Sequence, residues 1–291
     1  MQIIPFDQRD GYIWYNGKQV PWKDAKVHVL NHGLHYASCV FEGIRVYNGK
    51  AFKLTEHNER LIASAKLLGF TVPYSVNELN KATNEIVKTQ KIENGYIRPV
   101  AWRGSEQMAI LPTVATKTHV AIATWAWPAY YTEEAKMKGA KLTFAKWKRP
   151  HPETAPTKSK AAGLYMIGTL SKMDAHDKGF GEALMLDYRG YVTETTSSNF
   201  FLVINGELHT AIPDCFLDGI TRRTIIDLAK KRGINVVERR ILPNELKDAQ
   251  EAFMTGTAAE ITPVASVDNY TFQVGPVTKG LMQDYDKLVK A

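Results

Sequence analysis

The sequence predicts a mixed α/β (α+β) protein built from two domains. Three observations carry that expectation. The chain has 291 residues, which is about two domains' worth and ample for cores that need no disulfide or metal staples. Strand-like runs are joined by tight-turn pairs, Asn16-Gly17, Asn48-Gly49 and Asn205-Gly206, which mark antiparallel hairpins. Helical patterns fall irregularly among the hairpins and do not alternate with strands as a dinucleotide-binding fold requires.

In chain order, residues 12–15 form the first strand, before Asn16-Gly17. Residues 40–47 and 52–54 form a second hairpin about Asn48-Gly49. Thr55 is the expected cap of a helix with Glu56 and Glu59 in its first turn and Gly69 at its end. Ser75 and Glu78 form the capping box of the next helix. Strands follow over 96–103 and 119–127. The aromatic stretch from Trp125 to Tyr131 contains Pro128, which interrupts the strand pattern, and the domain boundary is placed there. The expected division is an N-terminal α/β domain over 1–125, an interdomain loop over 126–135 and a C-terminal domain over 136–291. The second half predicts a strand over 141–147, a loop over 148–159 and a helix over 161–178. Strands over 183–187 and 191–195 come next, then a hairpin of 200–204 with 207–210. Two helices, over 221–232 and 276–289, complete the pattern; Gly233 stops the first of them.

Composition excludes several classes. Hydrophobic residues make up 44% and charged residues 23%, a globular balance that argues against disorder. The longest uncharged apolar tract, residues 118–132, is short for a membrane span and contains Pro128. The first residues lack a basic segment followed by an apolar run, so no signal peptide is expected. Cys39 and Cys215 lie far apart, which suits a reducing cytoplasm. The excess of 37 basic over 30 acidic residues raises nucleic-acid binding as a possibility. The basic residues are dispersed, however. The densest cluster, Lys146-Trp-Lys-Arg149, is short and comes without zinc-finger, helix-turn-helix or RNA-binding patterns, so nucleic acid is not an expected partner.

Phosphate-loop, nucleophile-elbow and zinc-protease motifs are absent. His28, His32 and His35 have helix-like spacing, but Asn31 and Gly33 should break the helix, and no Cys or carboxylate lies among them. Structural histidines are expected there, and no metal. Lys160 is more informative. It is followed at once by Ala161, Ala162 and Gly163, small residues that admit a planar group close to the backbone. A lysine desolvated beside a cofactor can form a Schiff base. Glu194 stands in a polar turn before the apolar Phe200-Phe201. Gly219, Ile220 and Thr221 open a helix whose amides suit a phosphate. The run Gly256-Thr257-Ala258-Ala259 after a strand is a second anion nest. Together with Lys160, these features point to a phosphorylated aldehyde cofactor.

The run from Glu194 through Asn199-Phe-Phe201, Leu208-His-Thr210 and Gly219-Ile220-Thr221-Arg222 resembles the signature of class IV aminotransferases, enzymes of fold type IV that use pyridoxal 5′-phosphate. The similarity covers nearly the whole chain. Within that class, the chain looks like the branched-chain amino acid aminotransferases. The carriers are His35-Tyr36-Ala-Ser-Cys-Val-Phe41-Glu-Gly43-Ile-Arg45, Tyr96-Ile-Arg98-Pro99 and Gly256-Thr257-Ala258-Ala259-Glu260-Ile-Thr-Pro263. The resemblance implies a smaller N-terminal domain and a larger C-terminal domain that binds the cofactor. It implies transfer of the amino group of leucine, isoleucine or valine to 2-oxoglutarate, in branched-chain amino acid biosynthesis. Lys160 would hold the cofactor and act as catalytic base and acid. Glu194 would pair with its ring nitrogen and Tyr165 with its phenolic oxygen. Arg60, Gly219, Ile220, Thr221, Gly256 and Thr257 would hold the phosphate. Tyr96, Thr257 and Ala258 would meet the substrate carboxylate. Tyr36, Phe41, Gly43, Trp127 and Tyr130 would line the side-chain pocket. Arg98 would receive the distal carboxylate of glutamate. A homodimer or larger homo-oligomer is also implied.

One point is independent of the resemblance: Tyr96 and Arg98 are two apart on a predicted strand and should share a face. Departures from the family pattern are Asp218, where proline is common, Ala37, where glycine is frequent, and Arg103, a second cation near Arg98. D-amino acid aminotransferases, (R)-amine transaminases and aminodeoxychorismate lyases share the fold. Tyr96-Ile-Arg98-Pro99 argues for the branched-chain group instead.

Overall fold

The structure is a computed structural model that describes residues 4–127 and 133–291. The chain divides into two compact units. One comprises Met1–Pro128 with Ser159–Gly163, the other Ala129–Lys158 with Leu164–Ala291. Residues 159–163, which the sequence assigns to the C-terminal domain, thus group with the first unit. Backbone pairing is the reason: Lys160 carbonyl accepts from Phe41 N–H at 3.2 Å, and Ala161 bridges Val40.

The first unit holds β1 (Tyr12–Tyr15), β2 (Lys18–Pro21), α1 (His32–Tyr36), β3 (Cys39–Phe41), β4 (Ile44–Tyr47), β5 (Lys50–Ala51), α2 (Leu54–Leu67), α3 (Val76–Thr89), β6 (Gly95–Arg103) and β7 (Thr118–Ala126). Its sheet runs β2-β1-β7-β6-β4-β5, with β3 also paired to β6. Strand alternation gives the sheet two different faces. Trp14, Ile97, Ala101, Val120 and Ile122 point into a core completed by Leu61 and Ala65 of α2 and Leu79, Ala82 and Ile86 of α3. The opposite face carries Ile13, Tyr15, Arg98, Val100, Trp102, Ala121 and Ala123, which line a cavity of about 600 Å³.

Several local expectations are corrected. The expected strand over 52–54 is absent, because Lys53 adopts a left-handed conformation (φ +56°) and reverses the chain after β5. Lys53 therefore stands at the N-cap of α2, and Thr55 lies inside the first turn, where its hydroxyl accepts from Asn80 Nδ2 at 3.0 Å. The Ser75–Glu78 capping box forms as expected. The helix expected over 161–178 starts later: Ala161 is in a β-bridge, a 3-10 turn covers Ala162–Leu164, and a long helix begins at Tyr165. Lys160 consequently sits just before this bridge, not at a helix mouth. The helix ruled out around Asn31 and Gly33 does form. It is the short α1, with Asn31 at its N-cap.

The second unit holds α4 (Glu133–Lys138), β8 (Ala140–Phe144), α5 (Tyr165–Asp177), β9 (Glu182–Leu186), β10 (Val192–Thr195), β11 (Asn199–Ile204), β12 (Glu207–Ala211), α6 (Ile220–Lys231), β13 (Val236–Arg239), β14 (Glu251–Gly256), β15 (Glu260–Val267), β16 (Tyr270–Thr271) and α7 (Pro276–Lys290). The sheet runs β10-β9-β8-β15-β14-β11-β12-β13, and a further pairing of β10 with β11 closes its first six strands into a ring. That closure is made at the register pair Glu194–Asn199. Phe200, Leu202 and Met254 point to one core with Leu142, Leu184 and Val264. Phe201 and Phe253 alternate to the other side and stack at 5.0 Å.

Candidate active site

In the first unit, helix periodicity places His57, Arg60 and Ser64 of α2 along one face. Arg60 meets the fully buried Glu42 with two donors, Nε to Oε1 at 2.6 Å and Nη2 to Oε2 at 2.9 Å. His57 Nδ1 lies 2.6 Å from the same carboxylate. A carboxylate only accepts, so Nδ1 carries the proton. Burial alone would raise the Glu42 pKa. The Arg60 charge and the His57 hydrogen bond outweigh it and hold this carboxyl far below the usual carboxylate range. Burial lowers the His57 pKa, against the pull of Glu42. Further along the helix, Ser64 Oγ accepts from Lys160 N–H at 3.0 Å, and Ser64 carbonyl accepts from Ser159 Oγ at 3.0 Å. One helix face therefore positions both Arg60 and the backbone of Lys160.

Lys160 Nζ lies 5.1 Å from the Phe41 ring centroid, and Arg98 Cζ lies 4.7 Å from the same centroid. Tyr96 and Arg98 do share a sheet face, with Arg98 Cζ 5.5 Å from the Tyr96 ring. Trp127 packs on Tyr96 at 5.0 Å. Gly43 admits this arrangement, since a Cβ there would stand 1.9 Å from Tyr96 Oη. Buried Arg98 Nε has no hydrogen-bond partner among the described residues. Tyr36 ends α1 and packs on His32 at 4.9 Å. Tyr130 lies outside the described residues. Arg103 is five residues from Arg98 on the same strand and faces the other way. Its Nη2 donates to Gly69 carbonyl at 2.6 Å and its guanidinium covers Phe70. Lys158 is exposed, whereas Lys160 is half-buried.

In the second unit, Glu194 and Asn199 face each other across the turn that closes the strand ring. Glu194 is 6% exposed and has Arg149 Nε 3.1 Å from Oε1, an ion pair whose geometry falls short of an aligned hydrogen bond. Arg149 Nη2 donates to the carbonyls of Thr195 and Thr196, each at 3.2 Å, so this arginine braces the whole turn. Asn199 Nδ2 reaches Glu194 Oε2 at 3.3 Å and Leu217 carbonyl at 2.9 Å. Asn199 thereby ties the acid to the entrance of α6. Gly219 is the N-cap of α6 and supplies no side-chain cap, and a Cβ there would lie 2.1 Å from Asn199 Oδ1. Ile220 and Thr221, both buried, begin the helix. Gly256 ends β14 against Ser198, whose Oγ would lie 2.9 Å from an added Cβ. Thr257 and Ala258 form the turn to β15. Tyr165 opens α5, which closes on this region through Gly168: a Cβ there would lie 2.7 Å from Thr196 carbonyl. Asp218 is neutralised by Arg222, whose Nη1 donates to it at 2.9 Å.

Sequence reasoning missed the supports. Glu42 and His57 carry no expected role in the sequence, although an acid between Phe41 and Gly43 is a signal. Arg149 reads there only as one of the dispersed basic residues. The histidines first weighed as metal ligands bond locally: His32 Nδ1 with Ser38 Oγ at 2.6 Å, His35 Nε2 with Val29 carbonyl at 2.8 Å, and His28 Nδ1 accepting from Leu30 N–H at 3.1 Å. Asp187, Asp214 and Cys215 also cluster, but Arg189 Nη2 takes both acids, at 2.6 and 2.9 Å.

Comparison with known proteins decides the family. Residues 39–267 match the family described as amino-transferase class IV. The chain belongs to the class IV aminotransferases. A branched-chain-amino-acid aminotransferase of Pseudomonas aeruginosa is 43% identical over 288 residues, covering 97% of this chain and 94% of that one. The Escherichia coli K12 protein of the same name is 42% identical, covering 94% and 91%. A T.th. branched-chain amino acid aminotransferase solved with pyridoxamine 5′-phosphate superposes with a TM-score of 0.93 at 40% identity, covering 97% of this chain and 95% of that one. The residues of this aminotransferase fit a pyridoxal phosphate cofactor. The first turn of α6 has no side-chain cap, its N-cap leaves no room for a Cβ, and a braced acid stands beside it. No helix among the described residues is long and apolar enough to cross a membrane.

Proposed function

We propose that this chain transfers the amino group of leucine, isoleucine or valine to 2-oxoglutarate, giving the branched-chain 2-oxo acid and L-glutamate. The carrying observation is Arg98, a cation with a buried orphan Nε among the apolar and aromatic residues of one sheet face. Such a setting suits an alkyl side chain and leaves one donor for a distal carboxylate.

The chain comprises an N-terminal domain over 1–125, a loop over 126–135 and a C-terminal domain over 136–291 that binds pyridoxal 5′-phosphate. Bound there, the cofactor supplies an aldehyde that captures amines and a ring that accepts electron density from the substrate Cα. Lys160 would hold the cofactor through Nζ, and the same Nζ would take the proton from the substrate Cα and redeliver it, as base and then acid. Glu194, paired with Arg149, would keep a proton on the ring nitrogen. Tyr165 would donate to the phenolic oxygen. Arg60, Thr257 and the backbone at Gly219, Ile220, Thr221 and Gly256 bind the phosphate. Tyr96, Thr257 and Ala258 orient the substrate carboxylate. Tyr36, Phe41, Gly43, Trp127 and Tyr130 enclose the side chain and exclude water.

The enzyme is a homodimer or larger homo-oligomer. Supporting this, Ile110, Leu111 and Val114 lie within five residues of one loop and are 81%, 75% and fully exposed, apolar side chains that association with a second copy would cover. A cytoplasmic location accords with its two unpaired thiols. The test is a panel of L- and D-amino acids, each mixed with the cofactor-loaded protein while the cofactor's absorbance is followed. Fast conversion by L-leucine, L-isoleucine, L-valine and L-glutamate is expected. Conversion by D-amino acids instead would overturn the assignment.

A further inference from the structure

We infer that Glu42, with His57, is a positioning residue that sets the Arg60 guanidinium for a phosphate monoester, resting on the cofactor reading above. Glu42 is fully buried between the end of β3 and the start of β4, and its own N–H donates to Pro99 carbonyl at 2.8 Å. Its carboxylate collects four donors: Arg60 Nε at 2.6 Å, Arg60 Nη2 at 2.9 Å, His57 Nδ1 at 2.6 Å and Gly43 N–H at 3.3 Å. Sealing an acid from water is unfavourable unless every oxygen is satisfied, and here both oxygens are. The backbone fixes the carboxylate, the carboxylate fixes the Nε–Nη2 edge of the fork, and so the plane and heading of the guanidinium are fixed. An arginine on a bare helix face would have to freeze several torsions on binding. This one is ordered beforehand. His57 and Arg60 are three apart on α2, so the same helix turn presents both partners to Glu42.

A purely structural staple of α2 to the β3–β4 connection would affect all ligands alike. A positioning role acts on the phosphate alone. The full chain, freed of cofactor, is titrated with pyridoxal 5′-phosphate and with pyridoxal, which lacks the phosphate, and the ratio of the two affinities is read from absorbance. Glu42→Gln should reduce that ratio roughly tenfold or more, the worth of a well-set charge-assisted contact. Arg60→Leu should reduce it as well, and adding Glu42→Gln to Arg60→Leu should change the ratio no further. Equal weakening of both probes, or an unchanged ratio, overturns the inference. Should Glu42→Gln fail to fold, His57→Leu carries the test. It leaves the Arg60–Glu42 pair in place, and the ratio should fall several-fold. His57→Asn, whose amide donates from the place of Nδ1, should restore it. A folded His57→Leu protein with the wild-type ratio overturns the inference. A wild-type protein with no preference for pyridoxal phosphate over pyridoxal would instead overturn the cofactor reading.

Discussion

The two units hold their functional charges in opposite senses. In the first, the proposed ligand-facing group is a cation, Arg60, and the buried group behind it is an acid, Glu42. In the second, the proposed ligand-facing group is an acid, Glu194, and the group behind it is a cation, Arg149. The means of support differ too. Arg60 stands on a helix and is held by side chains. Glu194 stands near the end of β10, beside a hairpin turn that Arg149 braces through the Thr195 and Thr196 carbonyls. The lesson is that an ion meant to meet a ligand of opposite charge is held by a second ion of that same opposite charge, sealed beneath it. The inner ion fixes geometry and protonation before the ligand arrives, and removing it leaves an uncompensated charge, worth about 3–5 kcal/mol.

The largest effect is expected at Lys160, which the first unit fixes by its backbone, through Phe41 N–H and Ser64 Oγ. Lys160→Ala should lower turnover on the order of 10⁴-fold or more, since it removes both the proposed attachment point and the proposed proton carrier. Lys158→Ala, at an exposed position two residues away, should leave turnover near wild type. Borohydride reduction followed by peptide mapping reports the attachment directly, and a label on Lys158 would reverse the assignment.

Next comes the acid of the second unit. Glu194→Gln keeps the shape of the turn but removes the charge that Arg149 balances. Turnover should fall about a hundredfold or more, while pyridoxal phosphate should stay bound through the phosphate contacts proposed at Arg60 and at Gly219 to Thr221. Equilibrium dialysis beside single-turnover rates separates the two quantities. A cofactor-loaded Glu194→Gln protein with full activity would remove Glu194 from the chemistry and undo the mirror relation between the units.

Arg98 gives a smaller, selective effect. Arg98→Leu should weaken reaction with glutamate roughly ten- to a hundredfold, the worth of one charge-assisted hydrogen bond, and leave leucine little changed. Its neighbour Arg103 looked, in the sequence, like a substitute cation. The sheet excludes that role, because an odd spacing along β6 turns Arg103 to the helix side, where Gly69 carbonyl and Phe70 hold it. Arg103→Leu should therefore leave the glutamate-to-leucine preference as it was. Equal losses for both substrates in Arg98→Leu would mean that this residue shapes the face generally.

What the sequence revealed follows from what is local. Hairpins, the Ser75–Glu78 capping box, the Gly219 helix entrance and the Gly256 turn are all written in a few adjacent residues. The second unit's candidate residues, set largely by turns and amides, are therefore readable. The first unit's support is not, because Glu42 meets partners 15 and 18 residues away whose pairing depends on how α2 docks. Arg149 and Glu194 are likewise brought together only when the strand ring closes. The late start of α5 was missed for a similar reason: small residues after Lys160 read as helix, but Ala161 finds a strand partner in Val40.

The smallest effect concerns backbone in the first unit set against backbone in the second. Gly219 and Ala37 are opposite cases. Gly219 has an ordinary φ of −66° but no room for a Cβ, whereas Ala37 has a Cβ and a φ of +56° at the C-cap of α1. The left-handed angle explains why glycine is frequent at this point of the family pattern: a Cβ crowds the following carbonyl there, at about 1–2 kcal/mol. Glycine would relieve that strain in the folded state but widen the freedom of the unfolded chain, which returns part of the gain. Ala37→Gly should therefore raise stability by about 0.5–1 kcal/mol, read as a higher urea midpoint with an unchanged slope. Activity is the sharper half of this test. Tyr36 precedes the position directly, so a looser α1 terminus would show as a higher KM for leucine with kcat intact. A stability gain with unchanged KM would mean that Ala37 merely strains the fold. A KM that rises with the gain would mean that the strained alanine stiffens the chain beside Tyr36, trading stability for substrate contact as Gly219 would trade side-chain bulk for the proposed phosphate contact.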